Sequence, residues 1–75
     1  MDTKLNPGKF DCYKKAEDDE PMFVLLARDP YASTLVRYWA DHERAMNGGS
    51  TDKSKEATKC AEMMDHWRLM QQMDL

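Results

Sequence analysis

Residues 29–52 read DPYASTLVRYWADHERAMNGGSTD, and the fold turns on this stretch. Asp29-Pro30 is a helix-start signal: a carboxylate able to cap, then a proline at a first helical position, where no N–H is needed. From there Ala32, Leu35, Val36, Trp39 and Met46 recur at the 3.6-residue spacing of one helical face. Asn47-Gly48-Gly49 ends the pattern, with Gly48 suited to the left-handed conformation that closes helices. Ser50, Thr51 or Asp52 then supplies the cap of a second helix. The reading is a helix over 30–47, a Gly-Gly-Ser turn and a helix over 52–72.

The second helix has its own stripe of Ala57, Cys60, Ala61, Met63, Met64, Trp67 and Met70. Lys53/Glu56, Lys59/Glu62 and Asp65/Arg68 lie three apart on its polar side, a spacing that supports an exposed helical surface. With one Trp in each long helix, the expectation is an antiparallel hairpin whose tryptophans face each other across a Met-rich seam.

Upstream, residues 1–18 read as an irregular arm. Asn6-Pro7-Gly8 is a turn signal, and Phe10, Cys12 and Tyr13 follow without helical spacing, as anchors that fold back on a core made elsewhere. The run Phe23-Val24-Leu25-Leu26-Ala27 is short enough for a buried strand or a helix. The acids Glu17-Asp18-Asp19-Glu20 before Pro21 favour a helix start, and no second strand candidate exists to pair with. A short helix over 20–28 is therefore expected. The whole is a single small all-α domain over 1–75: an antiparallel helical hairpin with a short preceding helix and an irregular N-terminal arm.

The chain has 75 residues, 41% hydrophobic and 33% charged, which is globular composition. A core of this size supplies only about 3–5 kcal/mol unless something staples it, so self-association or a partner is expected. The longest apolar run, Met22–Ala27, is far too short to span a membrane, and the first twenty residues show no apolar segment of a secretory signal. Cys12 and Cys60 are too few for a disulfide framework and read as reduced thiols of a cytoplasmic protein, a single bridge between them being the alternative. Eleven Lys and Arg against fourteen Asp and Glu give a net charge of −3 with no basic cluster, which argues against nucleic-acid binding.

Catalytic chemistry finds little footing. His42, His66, Cys12 and Cys60 lack the close pairing of a structural zinc site, and Cys60 falls mid-stripe, where it reads as a small buried hydrophobe. Nothing local sets a base beside Cys12. No metal, no cofactor and no enzymatic activity are expected. Binding is the better reading. Tyr31 and Tyr38 flank the first long helix's apolar stripe, with Arg28 and Arg37 nearby, and Tyr13 adds a third tyrosine from the arm. Tyr and Arg together are the residue types enriched where proteins meet. The same set could stack a base and hold a phosphate, so an oligomer binding a nucleotide-like anion is the alternative. His42 and Glu43 are the polar residues on that stripe, and Met63, Met64, Met70 and Met73 read mainly as core filler.

Three segments also carry a resemblance. FDCYKKA (10–16), DEPMFVLLARDP (19–30) and LVRYWA (35–40) resemble a group of short open reading frames common in tailed phages and prophages. Glu56-Ala57, Cys60-Ala61, Met64 and Trp67 are similar to that group's C-terminal helix, so the resemblance covers roughly residues 9–68. It implies a setting rather than an activity: a phage-encoded accessory protein in a bacterial host cytoplasm. Small proteins of that kind bind, inhibit or redirect a host protein, including defence proteins, and this partner class is carried over by analogy alone.

Overall fold

A computed structural model describes residues 3–73. Among them every regular element is helical: α1 (Cys12–Lys15), α2 (Ala32–Met46) and α3 (Asp52–Met73). Of these helices only α2 and α3 pack against one another, antiparallel and joined by residues 47–51. The fold is the expected helical hairpin.

Its turn is set by a few hydrogen bonds. At the end of α2, the Gly49 N–H donates to the Arg44 carbonyl at 2.9 Å, and Gly48 takes φ +71°, the conformation only glycine adopts without strain. The Asn47 side-chain amide donates at 2.7 Å to the Glu43 carbonyl, which also accepts from the Asn47 N–H at 3.2 Å. Of the three candidate caps for α3, Thr51 is the one used. Its hydroxyl accepts from the Ser54 N–H at 3.0 Å, while the Ser54 hydroxyl accepts from the Thr51 N–H at 2.9 Å. This is a reciprocal capping box with serine in the place usually held by Glu or Gln.

The start of α2 differs from expectation by two residues. Asp29 Oδ1 accepts from the Tyr31 N–H at 2.9 Å and the Asp29 carbonyl accepts from the Ala32 N–H at 3.1 Å, so Asp29 closes a tight turn around Pro30. Helical bonding begins with the Leu35 N–H on the Tyr31 carbonyl, and α2 runs from Ala32 rather than from residue 30.

The helix expected over 20–28 is not formed. Residues 20–26 have no regular structure, and the chain turns at 27–30, where the Leu26 carbonyl accepts from the Asp29 N–H at 3.0 Å. The acidic run is used upstream instead: the Glu20 carboxylate accepts from the Glu17 N–H, and the Glu20 N–H donates to the Glu17 carbonyl. With its cap spent on that turn, a nine-residue apolar segment falls below the length at which a helix holds itself together without packing. The arm, in turn, contains a helical turn not expected from the sequence. Asp11 caps α1 by accepting from the Lys14 N–H, and the ammonium groups of Lys9 and Lys15 lie 5.4 and 5.7 Å from the Phe10 ring centre.

The seam between α2 and α3 is made of small side chains. Ala32, Ser33 and Ala40 of α2 are buried with Ser54, Ala57, Cys60 and Ala61 of α3, and Val36 and Met64 are half-buried. The largest side chain fully removed from solvent among the described residues is a serine, Ser54. Trp39 and Trp67 remain 40% and 45% exposed, so the expected Trp and Met seam is replaced by an Ala-Ser-Cys seam. Two adjacent stripes compete on α2, and the smaller residues win because they let the helix backbones approach closely.

A bulky side chain in this seam should therefore be costly. Ala61→Leu is expected to destabilise the fold by about 1–3 kcal/mol in denaturant unfolding, the usual range for overpacking a dense contact. Leu35→Ala, on the outer side of α2, is expected to cost far less.

Candidate functional site

Outside the seam the hairpin has one polar and one aromatic flank. On the polar side Arg44 ion-pairs with Asp41 one turn earlier and donates across to the Thr58 hydroxyl at 3.2 Å. Thr58 in turn donates to the Ser54 carbonyl at 3.0 Å, which ties the cap of α3 to the last turn of α2. Further along, Arg37 pairs with Asp65 at 2.7 Å. The Ser33 hydroxyl bonds the same carboxylate, and Ser33 together with Arg37 holds the Asp65 pKa below its ordinary 3.8.

On the other flank the Lys53 ammonium sits 5.7 Å from the Trp39 ring centre. Met63, Trp67 and Met70 line a shallow strip on α3 together with Glu62 and His66.

The third surface is the back of α2, turned away from α3. Residues seven apart complete two helical turns, so Tyr31 and Tyr38 point nearly the same way, with Leu35 between them. Tyr31 is 71% and Tyr38 74% exposed, and Leu35 and Met46 are exposed beside them. His42 falls on the same line and is also exposed. The charged groups of α2, namely Arg37, Asp41, Glu43 and Arg44, lie off this line, toward the seam or its flanks.

Of the five residues expected to form a binding set, the structure aligns two. Tyr31 and Tyr38 share the back of α2 as anticipated. Arg37 is directed around the helix to Asp65 and does not flank them. Arg28 is exposed in the turn before α2, three residues from Tyr31. Tyr13 is exposed on α1, which packs on neither long helix. Leu35 and Met46, read from the sequence as core, belong instead to the outward face. A second exposed apolar feature also lies outside the expected set: Phe23, Val24 and Leu26 of the preceding segment, with Phe23 86% exposed. Its only sequence signal is an apolar run lacking a cap of its own.

The methionines follow the same pattern. Met64 is half-buried, while Met63, Met70 and Met73 are exposed rather than core filler. Cys12 is exposed on α1 and Cys60 is buried in the seam, so the alternative bridge between them is not formed. Among the described residues no three His, Cys, Asp or Glu side chains gather as a metal site would need, and no helix is long and apolar enough to cross a membrane.

Compared with known proteins, the chain matches no family model, no curated protein and no solved structure.

The Asp65 site yields a pH prediction with a definite sign. A carboxyl pKa depressed by folding adds stability that is present above the ordinary 3.8 and is lost as pH falls through the lower folded value. Unfolding free energy should therefore drop as the pH falls from the ordinary 3.8 through the lower folded value, and level off below it. Asp65→Asn should be less stable at neutral pH and should lose less stability over the same acid range, measured by denaturant titration at a series of pH values.

Proposed function

We propose that this chain is a non-enzymatic interaction protein, a phage-type accessory factor that acts in the cytoplasm of a bacterial host by occupying a host protein. The supporting observation is the inversion of its side chains. Sixteen large apolar or aromatic residues stay exposed among the described residues, while the buried ones are alanine, serine and cysteine. Exposed apolar surface on this scale is what interaction sites display, and a chain that is one-third charged has ample polar residues with which to cover it.

Two surfaces supply the contact: the back of α2, with Tyr31, Leu35 and Tyr38, and the irregular Met22–Leu26 segment, with Arg28 beside it. Tyrosine suits such a role because it brings a large rigid area at little entropic cost. The resemblance to short phage reading frames supports the bacterial setting. The alternative of a bound nucleotide-like anion is less well supported, because Arg37, one of the two arginines it would use, already holds Asp65.

The test is site-specific photo-crosslinking in living bacteria. A photoreactive side chain at Phe23 or Tyr38 is expected to give a covalent adduct of defined mass with one host protein, and the same group at Lys55 none. Equal, diffuse labelling at the three positions, or none at any, would contradict a host-protein partner.

A further inference from the structure

We infer that residues 22–26 bind as a β-strand, adding themselves to the exposed edge of a β-sheet in the partner protein. The inference rests on the reading of this segment as part of the host contact, and it names the kind of surface that the segment meets.

The backbone of this segment is unpaired. Upstream, the Glu20 N–H donates to the Glu17 carbonyl, and downstream the Asp29 N–H donates to the Leu26 carbonyl at 3.0 Å. Between these two turns the N–H and C=O groups of Met22, Phe23, Val24 and Leu25 make no hydrogen bond among the described residues. A row of unpaired donors and acceptors is what a strand from another chain pairs with. The side chains suit the same state. Phe and Val are residue types that favour strands. In a strand, Phe23 and Leu25 would face one way and Met22, Val24 and Leu26 the other, so both faces are apolar, as in strands covered on both sides. Burial already alternates along the chain here: Leu25, Ala27 and Asp29 are half-buried, while Val24, Leu26 and Arg28 are exposed.

The pairing strand has to come from outside the described chain, whose regular elements are all helical. Two copies paired through this segment would make only a two-stranded ribbon, which is marginally stable in water, whereas an existing sheet offers a formed edge above a formed core. The ends of the segment fit a short strand. Pro21 has no N–H to donate, and the Leu26–Asp29 turn closes the other side. The span between them matches the usual strand length of about 5–6 residues. Glu17, Asp18, Asp19 and Glu20 stand exposed immediately before it. Free sheet edges are commonly guarded by lysines, and this acidic run would meet such an edge with opposite charge. The occupant is therefore a basic sheet edge.

The test uses the host protein captured by the photoreactive group at Phe23, purified and titrated with the full chain. Successive N–H groups of a strand point to opposite sides, so only one of Val24 and Leu25 donates to the partner. Of Val24→Pro and Leu25→Pro, one should therefore raise Kd by at least about tenfold over alanine at the same position, and the other by less than about threefold. Helical circular dichroism should stay unchanged in all four variants, because neither position lies in a helix. The captured peptide of the host protein should map to an edge strand bearing Lys or Arg. Prolines no worse than the matching alanines, two prolines equally damaging, capture on a helix, or an adduct between two copies of this chain would each overturn strand pairing while the measured contact stands. Absence of any adduct at Phe23 would sink the interaction reading itself, and this inference with it.

Discussion

Everything in this molecule depends on how closely α2 and α3 approach. Their seam is built from Ala32, Ser33, Ala40, Ser54, Ala57, Cys60 and Ala61, so every side chain buried between the helices is small. Small side chains remove little apolar area from water, at about 25 cal/mol per Å². The hairpin therefore leans on its ends and its polar flank. The turn through Gly48 and Gly49 and the Thr51–Ser54 box fix the register at one end. Arg44 with Thr58, and Arg37 with Asp65 and Ser33, fix it along the length.

The same constraint determines the surface. Once the narrow face of α2 is committed to α3, its broad residues have nowhere to go but outward. Tyr31, Leu35 and Tyr38 then form the back of the helix, and Trp39 and Trp67 become flank residues rather than core. A helix with charge on its inner edges and aromatics on its outer face is the reverse of an ordinary amphipathic surface helix. The reversal has a simple account if the outer face is itself buried in an assembly: α2 would then be a central helix, and its charged residues would form ties on either side.

Sequence reasoning recovered some of this and missed the rest for identifiable reasons. The two long helices were legible because their ends are written in local chemistry: Asn47-Gly48-Gly49 for the stop, and Thr51 among three candidates for the start. The choice of face was not legible. Leu35 and Met46 outweigh Ala40 and Ser33 on any measure of apolar character, yet the seam selects for size. The helix expected over 20–28 failed because Glu20 turns back to the Glu17 N–H instead of capping forward. In the candidate site, Tyr31 and Tyr38 were legible as a seven-residue pair on one helix. Arg37 was not, since its direction is set by Asp65, twenty-eight positions along the chain on the other helix. Tyr13 and Arg28 stand on separate segments whose placement no local pattern encodes.

The central claim is that the large residues of α2 face outward while its small ones line the seam. Hydroxyl-radical footprinting read at single side chains in dilute protein tests it most directly. The account predicts strong labelling of Tyr31, Leu35 and Tyr38, comparable to that of Tyr13, which is exposed on α1. Protection of the two α2 tyrosines already in dilute solution would contradict the account, because it would mean that the hairpin buries its broad face and not its narrow one.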